Sequence, residues 1–190
     1  FALGRSYYFK DWLMIEYEYY DWNALIGEKD RRSMITTVKM GIKAGRFWHN
    51  SPKYQTDWNV FKDFNDLKMS FIWSCFRYLG RDVQIKNIQS WSFQTSLKHE
   101  EDRDKLWHHH NHNPATTTVS GVYYLHLPDD VKDLEKAGTE LAPHSPEGEG
   151  NFFVPWKTGH WMIYPGKVWH RPGVVQSMDD RYIVAADMEF

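Results

Sequence analysis

The stretch LWHHHNHNPATTTVSGVYYLHL, Leu106–Leu127, decides how the rest of the chain is read. Four histidines, His108, His109, His110 and His112, lie within five residues, and a turn segment leads from them into the alternating apolar run VSGVYYLHL. Neutral imidazole is a good nitrogen donor for Fe, Zn, Ni or Cu, so a His-rich turn at a strand edge can hold a metal on a rigid support. An extended chain through His110 and His112 places both rings on one side, because alternate residues share a face. His108 and His109 then read as supporting or solvent-facing neighbours.

Two ligands leave a metal half bound, and the third must come from another strand. His170, in YPGKVWHRPG (Tyr164–Gly173), is the best placed, at the end of a strand and just before a turn. His126, inside a strand, and His160, near the start of one, compete with it. Arg181 follows His170 by eleven residues, enough to leave one strand and enter the next, where its guanidinium can meet an acid ligand bidentately. Within the run itself, parity assigns Ser120, Val122, Tyr124 and His126 to one face and Val119, Gly121, Tyr123, Leu125 and Leu127 to the other. Tyr124 is the favoured residue to touch a bound small molecule, with Tyr123 second, and Gly121 marks close packing or a bulge.

Downstream, Pro128–Gly138 contains one helical turn, and Thr139–Asn151, with its prolines and glycines, reads as a loop. Short strands follow at Phe152–Trp156, His160–Tyr164, Lys167–His170 and Arg181–Glu189. Upstream, Lys98–Lys105 is a solvated turn of alternating charge, and Val83–Leu97 alternates as one or two strands. Asp57–Tyr78 is the clearest helix: Trp58, Phe61, Phe64, Met69, Ile72 and Phe76 recur near helical spacing, Asp57 caps the start and Gly80 ends it. Met34–Ile42 is rich in β-branched residues and reads as a strand after the charged turn Gly27–Ser33. Phe1–Trp22 suits a strand pair or a strand followed by a helix. Short strands at spacings of about 8–12 residues indicate an antiparallel sandwich or barrel, not a βαβ series.

Composition narrows the function. The 190 residues suit one domain, and a formal charge of −2 gives no signal for a nucleic-acid surface. Ten Trp and eleven Tyr exceed the needs of an ordinary core, so aromatic side chains line a pocket or an interface, and a homodimer is expected. The single cysteine, Cys75, excludes an internal disulfide framework and reads as a buried thiol within a helix. No stretch reaches the roughly 20 apolar residues that span a bilayer, and Phe1–Lys10 has no signal-peptide core, so a cytoplasmic setting is expected. The sequence begins with Phe1, as expected of one that starts inside a gene product.

His110-x-His112, SGVYYL (Ser120–Leu125), GHWMIYPGKVWHRP (Gly159–Pro172) and DRYIVAADMEF (Asp180–Phe190) together resemble the iron(II)- and 2-oxoglutarate-dependent oxygenases. The likeness is greatest to those with an H-x-H…SGVYYL…H…R pattern, several of them encoded by phages, which would put the protein in a host cytoplasm. Trp91 of IQSWSFQ also fits that group, and the resemblance covers about residues 88–190. It implies a mainly β fold with flanking helices, a double-stranded β-helix (a cupin-like jelly roll) over about residues 81–190, supported by about residues 1–80. It further implies His110, His112 and His170 as iron ligands, Arg181 as the anchor of the 2-oxoglutarate C5 carboxylate, dioxygen as co-reactant, and hydroxylation of a further substrate. His112 stands where the superfamily usually presents a carboxylate. The aromatic rings of Tyr123, Tyr124, Trp161, Tyr164 and Trp169 would wall the pocket. The competing readings are a cupin-like metalloprotein using three histidines without 2-oxoglutarate, and a non-catalytic interaction protein.

Overall fold

A computed structural model describes residues 2–10, 13–48, 54–99, 107–108 and 117–190. The first two strands, β1 (Ala2–Lys10) and β2 (Leu13–Asp21), form an antiparallel pair, so the strand-pair reading of the N-terminal region holds. Helix α1 (Glu28–Lys43) follows, where a strand was expected over Met34–Ile42. The β-branched content misled: the buried positions are Met34 and Val38, four apart, with Ile35 and Ile42 half-buried seven apart. The charged segment before them is the first turn of this helix, not a separate turn. Its Asp30 carboxylate accepts from the Gly27 backbone N–H at 3.0 Å, and Glu28 pairs with Arg32 one turn on.

After the short β3 (Tyr54–Gln55) comes helix α2 (Asn65–Leu79), which starts eight residues later than the sequence suggested. Residues Val60–Lys62 make a 3-10 turn capped by the Asn59 side chain, and Asp57 is exposed outside the helix. Gly80 ends α2 in the left-handed conformation, as expected. The buried face of α2 is Leu67, Ser70, Phe71, Ser74 and Cys75, while Met69, on the expected stripe, is exposed. Two serines on the core face hid it from an apolar count. They accept from one buried and one partly buried indole: Trp161 Nε1 donates to Ser70 Oγ at 2.8 Å and Trp22 Nε1 to Ser74 Oγ at 2.9 Å.

The remaining elements are β4 (Asn87–Thr95), β5 (Thr118–His126), α3 (Leu134–Ala137), β6 (Thr139–Ala142), β7 (Phe152–Val154), β8 (His160–Pro165), β9 (Trp169–Pro172) and β10 (Arg181–Glu189). The four-residue β6 falls within a segment read as a loop; its residues are buried throughout, so its strand pairing compensates for the loop-forming prolines that follow. Among the described residues the strands form a seven-stranded sheet, β1-β2-β8-β5-β10-β4-β3, and a three-stranded sheet, β7-β6-β9. From β5 onward the chain passes between the two sheets, which places large-sheet residues such as Val122, Tyr124 and Met162 against Leu141, Phe152 and Val154 of the small one. The other face of the large sheet packs on α1 and α2 through Tyr123, Leu125, Trp161, Ile163, Val184 and Met188. Gly121 lies on that face with no room for a side chain: a Cβ would stand 2.8 Å from both Ile163 Cδ1 and Phe71 Cε2. Its role is close packing of α2 onto the sheet. Among the described residues no helix is long and apolar enough to cross a membrane.

Candidate functional site

Register decides what enters the space between the sheets. Tyr124 pairs with Ile183, Val122 with Ala185 and Ser120 with Asp187, while Thr95, Phe93 and Trp91 of β4 pair with Arg181, Ile183 and Ala185. Directly opposed residues share a face, so Ser120, Tyr124, Trp91, Arg181 and Asp187 all belong to the inner side of the large sheet. Tyr123 and Trp161, expected as pocket walls, belong to the helix-packed side. Tyr124 and Tyr164 remain inside. Trp169 alternates with the inward His170 and is half-buried.

Arg181 is 4% exposed at the start of β10. Its Nε donates to Thr95 Oγ1 at 3.1 Å, and its Nη1 donates to the carbonyl oxygens of Ala137 at 2.9 Å and Gly173 at 3.2 Å. These neutral acceptors orient the guanidinium at the junction of the two sheets. The junction is tight because Gly173 lacks a side chain; a Cβ there would meet the Lys136 carbonyl at 2.2 Å. Tyr124 is fully buried nearby, its hydroxyl 3.0 Å from Thr139 Oγ1 and its ring 4.7 Å from that of Trp156. Burial pushes the Tyr124 phenol well up; its hydrogen bond to Thr139 and the Arg181 charge oppose that shift.

His170, 5% exposed on β9, faces the same interior. Its Nδ1 lies 3.0 Å from the Val168 carbonyl and donates to it, which leaves Nε2 as the ring nitrogen outside that contact. Its ring is 5.0 Å from Tyr164 and 4.0 Å from His108. His108 reaches it through a reciprocal backbone pair, His108 N–H to the His170 carbonyl at 3.1 Å and His170 N–H to the His108 carbonyl at 2.9 Å. The structure therefore brings the start of the histidine run against β9, with His108 directly opposite His170. His109, His110 and His112 lie outside the described residues. Among the described residues no three His, Cys, Asp or Glu side chains converge as a metal cage. His126 and His160 lie apart from His170: His126 lines a groove of about 910 Å³ beside α1, and His160 sits by Asp21 and Tyr19.

One inner polar group escaped the sequence reading. Asp187 is 4% exposed and accepts from Ser120 Oγ at 2.7 Å. Burial pushes its carboxyl up to about 7, against the opposing hydrogen bond from Ser120. The signal was available: with Arg181 inside, Ile183, Ala185 and Asp187 follow at alternate positions.

The architecture is shared with solved structures of low sequence identity. The α-ketoglutarate-dependent carbocyclase SnoK from nogalamycin biosynthesis matches with a TM-score of 0.63 at 13% identity, over 91% of this chain and 79% of its own. The epimerase SnoN from the same biosynthesis matches with a TM-score of 0.62 at 11% identity, over 90% and 76%. A Pseudomonas putida prolyl-4-hydroxylase matches with a TM-score of 0.57 at 8% identity, over 92% of each chain. At identities this low the likeness shows the fold alone: mainly β, two sheets with flanking helices. No sequence-family model and no curated protein sequence matches the chain.

Proposed function

We propose that the chain is an iron(II)- and 2-oxoglutarate-dependent dioxygenase acting as a hydroxylase. The observation that carries this reading is the buried Arg181 guanidinium facing the same interior as His170, with Tyr124 beside it. An arginine guanidinium, planar and always charged, is suited to bidentate capture of a carboxylate. SnoN has been solved with Fe3+ and α-ketoglutarate, which supports the same cofactor chemistry on this fold.

In this reading His110, His112 and His170 hold the metal, and the Nδ1-protonated His170 meets the chemistry of such a donor set. Bound iron(II) supplies activation of dioxygen, coupled to decarboxylation of 2-oxoglutarate and oxidation of a substrate C–H bond. Arg181 binds the C5 carboxylate, and the Thr95, Ala137 and Gly173 acceptors fix the angle at which it does so. The Tyr124 hydroxyl, held by Thr139, adds a donor, and its high pKa keeps it protonated across the working range. The inner aromatic wall of Tyr124, Trp156 and Tyr164 excludes water. Exposed Trp48 and Trp73 support the expected homodimer.

Anaerobic titration with Fe(II) and then 2-oxoglutarate is expected to give the visible charge-transfer band of a bidentate chelate. Folded protein that binds iron and shows no band would overturn the assignment. Arg181→Leu is expected to weaken 2-oxoglutarate binding by roughly 10- to 100-fold, the loss of one charge-assisted pair, with metal binding kept.

A further inference from the structure

The reverse side of the small sheet carries a row of side chains in register with the histidine pair. Since His108 opposes His170 in an antiparallel bridge, the next pair is Trp107 with Arg171, and both point away from the interior. The Arg171 guanidinium lies 4.3 Å from the centroid of the Trp107 ring. Arg171 Nε also donates to Glu140 Oε2 at 2.8 Å, and Glu140 is its registered partner on β6. The pair is largely desolvated, with the Arg171 and Glu140 side chains only 12% and 9% exposed.

We propose that Trp107, Arg171 and Glu140 form a positioning clamp that sets the separation of His108 and His170, and through it the affinity of the centre for a divalent metal. The inference rests on the metal-binding reading above. The segment bearing His108 meets β9 through a two-hydrogen-bond bridge at His170. The clamp sits one residue along on both strands. Glu140 holds the Arg171 guanidinium on the outer face of the small sheet with its centre over the indole, so sliding or peeling of Trp107 must break a largely desolvated cation–π contact. Only arginine does both, because its planar fork can donate at its edge and stack with its face, whereas a lysine ammonium is a point charge. Outer partners of this kind typically govern metal affinity by about 10- to 100-fold.

The test is titration of the metal-free full chain with Co(II), read by its visible absorption, beside far-UV circular dichroism and thermal melting. Wild type is expected to bind and His170→Ala to lose binding; a wild type that binds no Co(II) would remove the metal reading itself, before the clamp is in question. Arg171→Lys and Trp107→Ala are expected to raise the Co(II) dissociation constant about 10- to 100-fold at a temperature where each is fully folded, while Trp107→Phe stays within about threefold of wild type. Val38→Ala, a cavity in α1 remote from the centre, lowers the melting point without moving the dissociation constant. If Arg171→Lys unfolds, Glu140→Gln, which keeps the shape and loses the charge, takes its place with the same expected direction. Wild-type affinity in the folded clamp variants overturns the proposal.

Discussion

The two faces of the large sheet are built from the same strands and put to opposite uses. Toward α1 and α2, the face is apolar and filled: Tyr123, Leu125, Trp161, Ile163 and Val184 are each 0–1% exposed, and Gly121 leaves no room for a methyl group. Toward the small sheet, the same strands bury Ser120, Tyr124, Arg181 and Asp187. An acid and a cation cost far more to bury than a leucine, and a hydrophobic side chain of similar volume would often be at least as stabilising. The inner face thus gives up stability that the helix-packed face supplies. A single-residue step along a strand separates the two, as from Tyr123 to Tyr124.

The largest break in this comparison should come from the helix side. Trp161→Ala empties a fully buried site and leaves Ser70 without its indole donor, so denaturant unfolding is expected to show a loss of about 3–5 kcal/mol. Next is Asp187→Asn on the inner side, with the opposite sign. The folded state holds this carboxyl near 7 while an unfolded chain releases the proton near its ordinary value of 3.8. The unfolded state therefore binds fewer protons between those values, and wild-type stability falls as pH rises from about 4 to about 7 before levelling. Asparagine cannot ionise and can still accept from Ser120, so the variant should lose that slope and exceed wild type by on the order of a few kcal/mol at pH 8. Equal pH profiles for the two proteins would show that Asp187 does not titrate in this window.

Smallest in stability, and the sharpest separation of the faces, is Tyr124→Phe. Removing the hydroxyl breaks the Thr139 contact, for about 1 kcal/mol or less in unfolding, while 2-oxoglutarate affinity should fall several-fold. Tyr123→Phe, one residue away on the helix side, is expected to leave that affinity unchanged by the same titration. Equal effects of the two substitutions would mean that the inner face is not the binding face.

Much of this division was legible in sequence, because alternation is a property of the chain itself. The parity of VSGVYYLHL placed Tyr124 with Ser120 and Tyr123 with Gly121, but it failed at the strand end: a register shift opposite Tyr182 and Ile183 carries His126 to the α1 side and Leu127 to the inner cluster. The pairing of His170 with the histidine run could be anticipated in kind from the motif spacing. That His108 is the residue opposite His170 could not, since register between strands 62 positions apart depends on tertiary packing. Two other features were hidden for local reasons. The buried face of α2 uses Ser70 and Ser74 as indole acceptors and so looks polar, and β6 is too short, beside Pro143 and Pro146, for alternation to register. Helix α1 was obscured by Thr36, Thr37 and Val38, whose strand propensity is overridden by the apolar spacing around them.

Strand β10 lies between β5 and β4, although it follows both in the chain. Neither neighbour pairs with the other, so during translation β4 and β5 must wait, with unpaired edges, until residues 181–189 have emerged from the ribosome. The nascent protein cannot complete its large sheet in stages. Truncation just before Arg181 should yield an aggregation-prone chain that chaperones retain, not a weakened version of the folded protein.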